Sequence, residues 1–505
     1  HLLAIAKTRR GKSSLMLRFV HHLMLAGTTG PGGREAGPAK RCIILVDPHS
    51  DLATAALGLV PPERHDDLVY LDIANRKRPF GVNLLDVSLG WDRDQAVGNA
   101  LRVFRREFDA FWGPRMEDAF RFALMALFEA NEAHCRADPV GGRAAQHTVL
   151  EVPDLLANAK FRHTVLKRVN DRAIGHWFSS YFQPLELHHR QEIINPVQTK
   201  VHKYVGSKIA RAIVGQPRST LDFREMIALH KIVLVNLNAF DVGEDTAALL
   251  GGTLLNLAAR AVSAQSALAP EERRRVTIAV DEFHTIPGAD YEQVFGELAK
   301  YGANMILATQ TLARLDRLSE AERTRDLRGV VFANLDGLFA FHTSAEDARF
   351  LAPELGGELT DQDLLELGHY QCYARLTDVR TGERLPAFTV RLDPPPTGDA
   401  AMAARLADDS AERYGRDALD VDLDLQGAWE RIHGPAAVGN TASYPQPDQP
   451  VPGGSGGAAS DRAVSGGQLP APRPATRAKK ASRSRSRPSP GRESPDSGDG
   501  PATAA

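Results

Sequence analysis

The residues with the clearest chemical potential lie at the start of the chain. Residues 6–13 read AKTRRGKS, which matches the phosphate-binding pattern G-x-x-x-x-G-K-[ST] at every fixed position except the first. In such a loop, consecutive backbone N–H groups and a helix N-terminus surround a phosphate. Lys12 would reach the β- and γ-phosphates of a nucleotide, and the Ser13 hydroxyl would ligate Mg²⁺. We therefore expect ATP and Mg²⁺ to be held by Ala6, Lys7, Thr8, Arg9, Arg10, Gly11, Lys12, Ser13 and Ser14.

The loop departs from the pattern in two ways. Its first glycine is replaced by Ala6, whose methyl group costs little unless the position requires a positive φ. Arg9 and Arg10 stand where small residues are easier to fold around a phosphate. We expect both arginines to lie on the outer side of the loop, facing solvent or a neighbouring subunit.

A pair of acidic residues follows a second apolar run. VTIAV at 276–280 reads as a buried strand, and Asp281 and Glu282 come directly after it. An Asp at a strand's carboxyl end can hold Mg²⁺ through water, and the adjacent carboxylate can polarise the attacking water. Acid pairs at strand ends also cap helices. After an apolar pentad, in a chain with a phosphate loop, the catalytic interpretation is favoured.

A glutamine ends a third apolar run. MILA at 305–308 is followed by Thr309 and Gln310, and a Gln at such a position can sense the γ-phosphate or orient water. A strand-end Gln is usually only a polar terminus, but the order loop, acid pair, Gln strengthens the prediction. We expect catalytic roles for Lys12, Glu282 and Gln310, and Mg²⁺ ligation by Ser13 and Asp281.

Six short apolar runs must position these side chains. Each is apolar nearly throughout, as in strands buried on both faces of a parallel sheet, and helical patterns between them predict an α/β fold. The runs are 2–5, 42–46, 232–237, 276–280, 305–308 and 338–342. The second run is followed by Asp47, and we expect Ser50 and Asp51 to cap the next helix. His49 lacks a partner at metal-ligand spacing in the sequence, which favours a loop histidine over a metal ligand. His284, beside the acid pair, is expected to be a structural or a coupling residue and not a metal ligand.

Between residues 92 and 225 the strand-like runs give way to helical periodicity. We expect an all-α domain here, inserted between the second and third predicted strands. One helical face collects apolar residues at Met116, Phe120, Ala123, Leu124 and Leu127. A basic stretch near the end of this region favours a solvated helix face over a DNA contact; it comprises Lys200, Lys203, Lys208 and Arg211.

Composition narrows the class of protein further. The 505 residues carry a net charge of −2, so no global basic field indicates a nucleic-acid binder. The three cysteines show no paired spacing, which argues against a disulfide framework or a zinc site. The longest apolar candidate for a membrane span, 246–269, is interrupted by polar residues. We interpret the sequence as a fragment, because it does not begin with Met, and an N-terminal membrane anchor could precede it.

A low-complexity region forms the end of the chain. From about 425 it is rich in Pro, Gly and Ser, a composition that cannot bury a core and predicts disorder. Residues 471–492 contain eight Lys or Arg and no acidic residue. This basic tail is equally compatible with tethering nucleic acid or an acidic partner and with a solubilising segment that has no specific partner.

Together these segments resemble the HerA/FtsK-type P-loop ATPases, most closely the coupling-protein ATPases of conjugative type IV secretion. The family's D-P-[KH]-G-D-[LI] segment corresponds to DPHSDL at 47–52, in which Ser50 replaces the glycine. VYLDIANRKRPFGVNLLD, FWGPRMEDAFRFAL, DEFHTI, AKYGANMILATQT and GHYQCYARLTD are also similar to family segments. The resemblance covers about residues 1–396, and its motifs are specific in combination.

The resemblance implies a RecA-like α/β core with a mainly parallel sheet and an inserted all-α domain. We expect the core at 1–91 and 226–396, the insert at 92–225, a helical extension at 397–424 and a disordered tail at 425–505. The family arrangement is a homo-hexameric ring that binds ATP between subunits and moves DNA, expected here to be single-stranded, through its channel. It implies a relaxase and secretion-channel proteins as partners. It also places the chain in the cytoplasm, at the inner face of a bacterial cell membrane.

One residue departs from the family pattern. Related enzymes often carry an arginine in a run such as A-R-K-[YF]-G, and this arginine reaches the neighbouring subunit's site. Ala299 occupies that position here, and Lys300 points about 100° away from it on a helix. The loss of such a finger can cost several orders of magnitude in rate. The sequence offers Arg314, Arg317 and Arg349 as substitutes.

Two alternatives to a coupling-type DNA translocase remain open from the sequence. One is a soluble HerA-like motor in DNA processing, which an N-terminal β-barrel in place of transmembrane helices would favour. The other is a protein that binds nucleotide but hydrolyses it weakly and serves as an assembly or DNA-docking module. Ala6, Arg9, Arg10 and Ala299 motivate this last hypothesis.

Overall fold

The apolar runs form the centre of one nine-stranded sheet. The computed structural model describes residues 1–29, 35–36, 39–108, 112–289, 291–316, 327–378 and 380–434. In chain order the strands are β1 Leu2–Ile5, β2 Thr28–Thr29, β3 Glu35–Ala36, β4 Cys42–Asp47, β5 Leu68–Asp72, β6 Ile232–Asn236, β7 Val276–Val280, β8 Ala303–Thr309, β9 Gly337–Phe341, β10 Gln371–Leu376 and β11 Phe388–Arg391. Strands β2 and β3 pair separately, as a short antiparallel ribbon.

The large sheet has the order β11-β10-β9-β1-β8-β7-β4-β6-β5. Its strands from β9 to β5 are parallel, whereas β10 and β11 run antiparallel. The predicted α/β fold with a mainly parallel sheet is therefore confirmed. Because the chain leaves β1 toward β4 on one side while β9 pairs on the other, a crevice opens at the carboxyl end of β1. Open α/β sheets bind their ligands at such a crevice.

Three strands of the sheet were missed by the sequence patterns. β5 and β11 are the two edge strands, and half-buried or exposed positions interrupt their apolar character. β10 likewise alternates between buried and half-buried residues. A search for continuous apolar runs finds strands that are covered on both faces, and these three are covered less completely. The predicted insert consequently follows β5, the third strand of the large sheet along the chain.

No described residue between β5 and β6 belongs to a strand, although Phe80 forms an isolated β-bridge with Gly415. The helices there are Arg93–Phe108, Pro114–Ala137, Gly141–Ala144, Val152–Ala157, Ala159–Leu166, Arg172–His176, Leu187–Gly206, Lys208–Val214 and Phe223–Ala228. Phe104, Phe120 and Tyr204 meet at their centre, with ring centroids 4.9 and 5.3 Å apart. The basic stretch does not form one solvated face, because Lys200 is buried with its ammonium 6.0 Å from the Trp112 ring.

The remaining α-helices flank the sheet, apart from Ala418–His433, which contacts the insert. They are Lys12–Met24, Asp51–Leu57, Ala239–Val242, Glu244–Ser263, Tyr291–Glu297, Leu327–Ala333, Ala345–Leu355, Asp361–Leu365, Ala400–Tyr414 and Ala418–His433. One continuous core joins the insert to a face of the sheet. A second core, on the other face, packs Lys12–Met24, Asp51–Leu57 and Ala400–Tyr414 against the strands.

Among the residues that the structure describes, one helix is long and apolar enough to cross a membrane. Within Glu244–Ala267, a stretch of 18 residues has a mean hydropathy of 1.3, and 67% of that stretch is buried inside the fold. Asn256 donates from its side chain to the Gly288 carbonyl oxygen at 2.8 Å, within the protein. The segment packs in the present fold as a core helix.

The C-terminal helices extend beyond the predicted boundary. The sequence places the start of the tail at 425, but the helix Ala418–His433 crosses that position. Ile432 is buried, and its carbonyl oxygen accepts a hydrogen bond from the Asn158 side chain at 3.1 Å. This contact with the insert explains why the helix continues. The predicted basic tail lies outside the described residues.

Candidate functional site

The phosphate loop continues directly from β1. The Ala6 N–H donates to the Thr309 carbonyl oxygen at 3.2 Å, and the Lys7 N–H donates to the His342 carbonyl oxygen at 3.1 Å. Ala6 is fully buried and does not have a positive φ. The condition under which the missing glycine costs little is therefore met.

Positive φ values occur later in the loop, at Arg9 (62°) and Gly11 (118°). A Cβ on Gly11 would lie 3.0 Å from Phe341 Cε1 and 3.2 Å from Tyr370 Cδ1, so only glycine fits there without displacing either ring. Arg9 is exposed, whereas Arg10 is half-buried. The Arg10 carbonyl oxygen accepts a hydrogen bond from the Tyr370 N–H at 3.0 Å. The expectation that Arg10 faces outward is thus met only in part.

Lys12 brings the loop and the acid pair together. Its ammonium lies 2.9 Å from Asp281 Oδ1 and also contacts Glu282 Oε1. The Ser13 hydroxyl donates to Asp281 Oδ2 at 3.2 Å. Lys12, Asp281 and Glu282 are all buried. Two predicted elements from distant parts of the sequence therefore meet in one ion-paired cluster.

Glu282 belongs to a closed ring of polar contacts. Gln310 Nε2 donates to Glu282 Oε1 at 2.9 Å, and the Gln310 side-chain oxygen accepts from Arg314 Nη2 at 3.4 Å. The other guanidinium nitrogen of Arg314 contacts His284 Nε2. His284 Nδ1 in turn lies 3.4 Å from Glu282 Oε2. Glu282 also has a φ of 41°, a strained conformation that is concentrated at functional sites.

His284 is held neutral by this ring. Arg314 can only donate, so His284 Nε2 must accept and the ring proton must lie on Nδ1. Burial lowers the pKa of His284 to about 3, and the charges of Arg314 and Lys12 act in the same direction. Nδ1–H therefore faces Thr309 Oγ1, at 3.2 Å, and Glu282 Oε2, a buried oxygen without a hydrogen bond. The histidine links Arg314 to the acid pair.

This depressed pKa predicts a pH-dependent stability. In the unfolded chain His284 is protonated below its usual pKa of 6.5, whereas in the folded chain it stays neutral down to about pH 3. The unfolded state therefore binds an additional proton in this range, and the free energy of unfolding falls as the pH is lowered below 6.5. Between pH 6.5 and 5.5 we expect wild type to lose at most about 1 kcal/mol relative to His284→Gln, since solvent screening reduces the effect of the shift. Denaturant unfolding of both proteins across this interval measures the difference. Parallel stability curves would contradict the assignment.

The turn into the helix Asp51–Leu57 is held by Asp47 and not by a side-chain cap at Ser50. The Asp47 carboxylate accepts hydrogen bonds from the N–H groups of His49 and Ala53, both at 2.9 Å, so it anchors the turn into the helix Asp51–Leu57. Burial raises the pKa of Asp47, and the nearby charge of Asp281 adds to this. Ser50 occupies the N-cap position, but its side chain makes no capping bond and its φ is 77°. The predicted side-chain cap at Ser50 is therefore wrong, because this strained backbone turns the hydroxyl toward Thr54.

A cavity of about 500 Å³ opens over these groups. Its lining includes Lys7, Thr8, Arg9, Gly11, Lys12, Ser13, Ser14, Asp47, His49, Asp51, Asp281, Glu282, Gln310 and Tyr370. Burial lowers the pKa of His342, whose carbonyl oxygen is bonded to the loop at Lys7, and the charges of Arg10 and Lys7 lower it further. A cationic rim, a loop fitted around glycine and a hydroxyl beside a carboxylate suit a phosphate chain with Mg²⁺.

The structure distinguishes the arginines offered as substitutes for the missing finger. Ala299 is exposed in the turn Leu298–Tyr301. This turn precedes β8, so it lies at the amino ends of the parallel strands, whereas the phosphate loop lies at their carboxyl ends. Arg314 contacts Gln310 in its own chain, as described above. Arg349 is exposed, 3.9 Å from a carboxylate oxygen of Asp361. Arg317 lies outside the described residues.

Two features of the site were not found by sequence reasoning. The first is the ring of contacts through His284 and Arg314. The sequence indicates it only by placing a histidine two residues after the acid pair. The place of Tyr370 beside Gly11 left no signal, since the two residues are far apart in the sequence and meet only in the folded chain.

No model of a known protein family matches this chain, and no curated protein matches it. Several solved structures are similar to it in fold. The plasmid coupling protein TrwB in complex with ADP and Mg²⁺ is similar at 13% identity and a TM-score of 0.55, over 80% of this chain and 87% of that one. TrwB with the GTP analogue GDPNP is similar at 14% identity and a TM-score of 0.54, over 79% and 86%. VirB4 of Thermoanaerobacter pseudethanolicus is similar at 14% identity and a TM-score of 0.50, over 78% and 90%. The chain thus has the fold of the plasmid coupling protein TrwB and of VirB4, in line with the resemblance that its motifs indicate.

Proposed function

We propose that this protein hydrolyses ATP and uses the energy to move DNA, as a motor of the coupling-protein type. The observation that carries the proposal is the convergence of Lys12, Ser13, Asp281, Glu282 and Gln310 on one cavity. These groups come from the ends of β1, β7 and β8, three neighbouring parallel strands. Their chemistry matches that of a P-loop NTPase site.

The loop residues bind and orient the phosphates. Backbone N–H groups at Gly11 and Lys12 open the helix Lys12–Met24, whose N-terminus favours negative charge. Ser13 Oγ, with Asp281 through water, would hold Mg²⁺, which neutralises charge on the β- and γ-phosphate oxygens. Lys12 is now paired with the two carboxylates, and phosphate oxygens in the cavity would compete for its ammonium.

Glu282 is placed to activate water. Release of Lys12 frees Oε1, which remains oriented by the Gln310 amide at 2.9 Å. A water positioned by this carboxylate would attack the γ-phosphorus while the bond to the β,γ-bridging oxygen breaks, and its proton would pass to Glu282. The hydrogen bond from Gln310 orients the carboxylate in the absence of nucleotide, and neutral His284 lies 3.4 Å from its other oxygen.

The DNA and assembly partners rest on the likeness of fold to the conjugative coupling protein TrwB. The proposed working form is a homo-hexameric ring around single-stranded DNA, located at the inner face of a bacterial membrane and acting with a relaxase and a secretion channel. Arg314 contacts Gln310 and His284 of its own subunit. It can therefore stabilise charge at that subunit's own site, as some nucleotide hydrolases do with an internal arginine.

A second candidate is a nucleotide-binding platform with little turnover. It is favoured by one observation, the exposed Ala299 where a finger from the neighbouring subunit is expected. ATP hydrolysis measured with and without single-stranded DNA separates the two candidates. The motor predicts a stimulated rate in the assembled protein, whereas the platform predicts ATP binding with a slow rate that DNA leaves unchanged.

A further inference from the structure

Tyr370 has an unusual backbone and an unusual position. Its φ is 60°, in the left-handed region that bulky residues rarely adopt. Its side chain lines the cavity over the phosphate loop, and the residue is 43% exposed. An aromatic ring that is held open to a cavity by a strained backbone is a candidate ligand contact.

The backbone on both sides of this ring is tied down. The Tyr370 N–H donates to the Arg10 carbonyl oxygen at 3.0 Å, and its own carbonyl oxygen accepts from the Leu392 N–H at 2.8 Å. Tyr370 Cδ1 would come within 3.2 Å of a Cβ on Gly11, so the ring abuts the loop where it has no side chain. The position of the ring is therefore coupled to that of the phosphate loop.

The order of the strands shows which end of a nucleotide this ring would meet. The acid pair follows β7 and Gln310 follows β8, both on one side of β1. Tyr370 immediately precedes β10, which lies beyond β9 on the other side of β1. A phosphate chain with its terminal phosphate near Glu282 and Gln310 must extend from the loop toward Tyr370. The nucleoside end therefore lies on the tyrosine's side.

We propose that the Tyr370 ring is the platform on which the base of the bound nucleoside triphosphate stacks. This inference rests on the proposed function and specifies its substrate class. Stacking uses the face of a base and tolerates different bases, because every base has a π-face. The subsite accordingly accepts ATP and GTP with affinities within about tenfold of each other.

Binding measurements on the full chain test this inference. The probes are Mg-ATP, Mg-GTP and inorganic tripolyphosphate, titrated calorimetrically into wild type, Tyr370→Phe and Tyr370→Leu. Leucine keeps apolar bulk beside Gly11 but lacks a π-face, so Tyr370→Leu should bind both nucleotides about 10- to 100-fold more weakly. Tyr370→Phe should bind them as wild type does, and tripolyphosphate should bind all three proteins about equally.

Two outcomes would overturn the inference alone. ATP binding by Tyr370→Leu at wild-type strength would show that no base stacks there. Equal weakening for ATP and tripolyphosphate would show that the ring only supports the loop. A wild-type protein that binds neither ATP nor tripolyphosphate would overturn the proposed function together with this inference, so the two failures are distinguishable.

Discussion

Replacing Glu282 with Gln is expected to lower the rate of ATP hydrolysis by a factor of about 10² to 10⁴ while leaving nucleotide binding intact. Gln is nearly isosteric and can still accept the hydrogen bond that Gln310 donates to Oε1. It cannot take a proton from water, so the step that depends on the carboxylate is lost. Lys12 keeps Asp281 as a partner at 2.9 Å, so the buried ammonium stays compensated.

The measurement is steady-state phosphate release, alongside the affinity for Mg-ATP. Glu272→Gln makes the same chemical change at an exposed position before β7 and should behave as wild type. If Glu282→Gln hydrolysed ATP at the wild-type rate, the role assigned to this carboxylate would be wrong. If it no longer bound ATP, Glu282 would serve the binding site and its role in activating water would be unproven.

Replacing Lys12 with Ala is expected to abolish detectable nucleotide binding and to destabilise the protein. The ammonium is the cation paired with Asp281 and Glu282, and all three groups are buried. Removing one partner of a buried ion pair typically costs about 3–5 kcal/mol, because the remaining charge is left uncompensated. Loss of the ammonium also removes the side chain that reaches the terminal phosphates.

Thermal unfolding with and without Mg-ATP separates the two effects. Wild type should be stabilised by nucleotide through binding linkage, and Lys12→Ala should melt lower and show no nucleotide-dependent shift. Lys40→Ala is a suitable control, since Lys40 is a partly exposed lysine 2.8 Å from Asp67. That pair should contribute no more than about 1 kcal/mol, and the variant should keep the full shift. A wild-type shift in Lys12→Ala would contradict the assigned site.

The sequence predicts the centre of this fold well because its strands are covered on both faces. The composition of a continuous apolar run such as Cys42–Asp47 is enough to predict that it is a buried strand. The edge strand Leu68–Asp72 does not, because one side of its residues is covered only in part. The continuation of the last helix to His433 depends on a contact with the distant insert, which local composition does not record.

In the site, too, some features can be predicted from residue type and spacing and others cannot. Residue types and spacing are sufficient to indicate Lys12, Ser13, the acid pair and Gln310, since each ends or follows a recognisable run. Backbone strain is not visible in a sequence, so the positive φ values of Glu282 and Ser50 were not anticipated. For the same reason the predicted cap at Ser50 failed and Asp47 anchors the turn in its place.

The most direct test of the central claim is the rate of ATP hydrolysis by the full-length protein, with and without single-stranded DNA, together with the mass of the assembly. We expect a ring-sized oligomer whose rate of ATP hydrolysis rises when DNA is added, and a loss of that rate in Glu282→Gln. An assembled protein that binds ATP but hydrolyses it at the same slow rate with and without DNA would contradict this expectation.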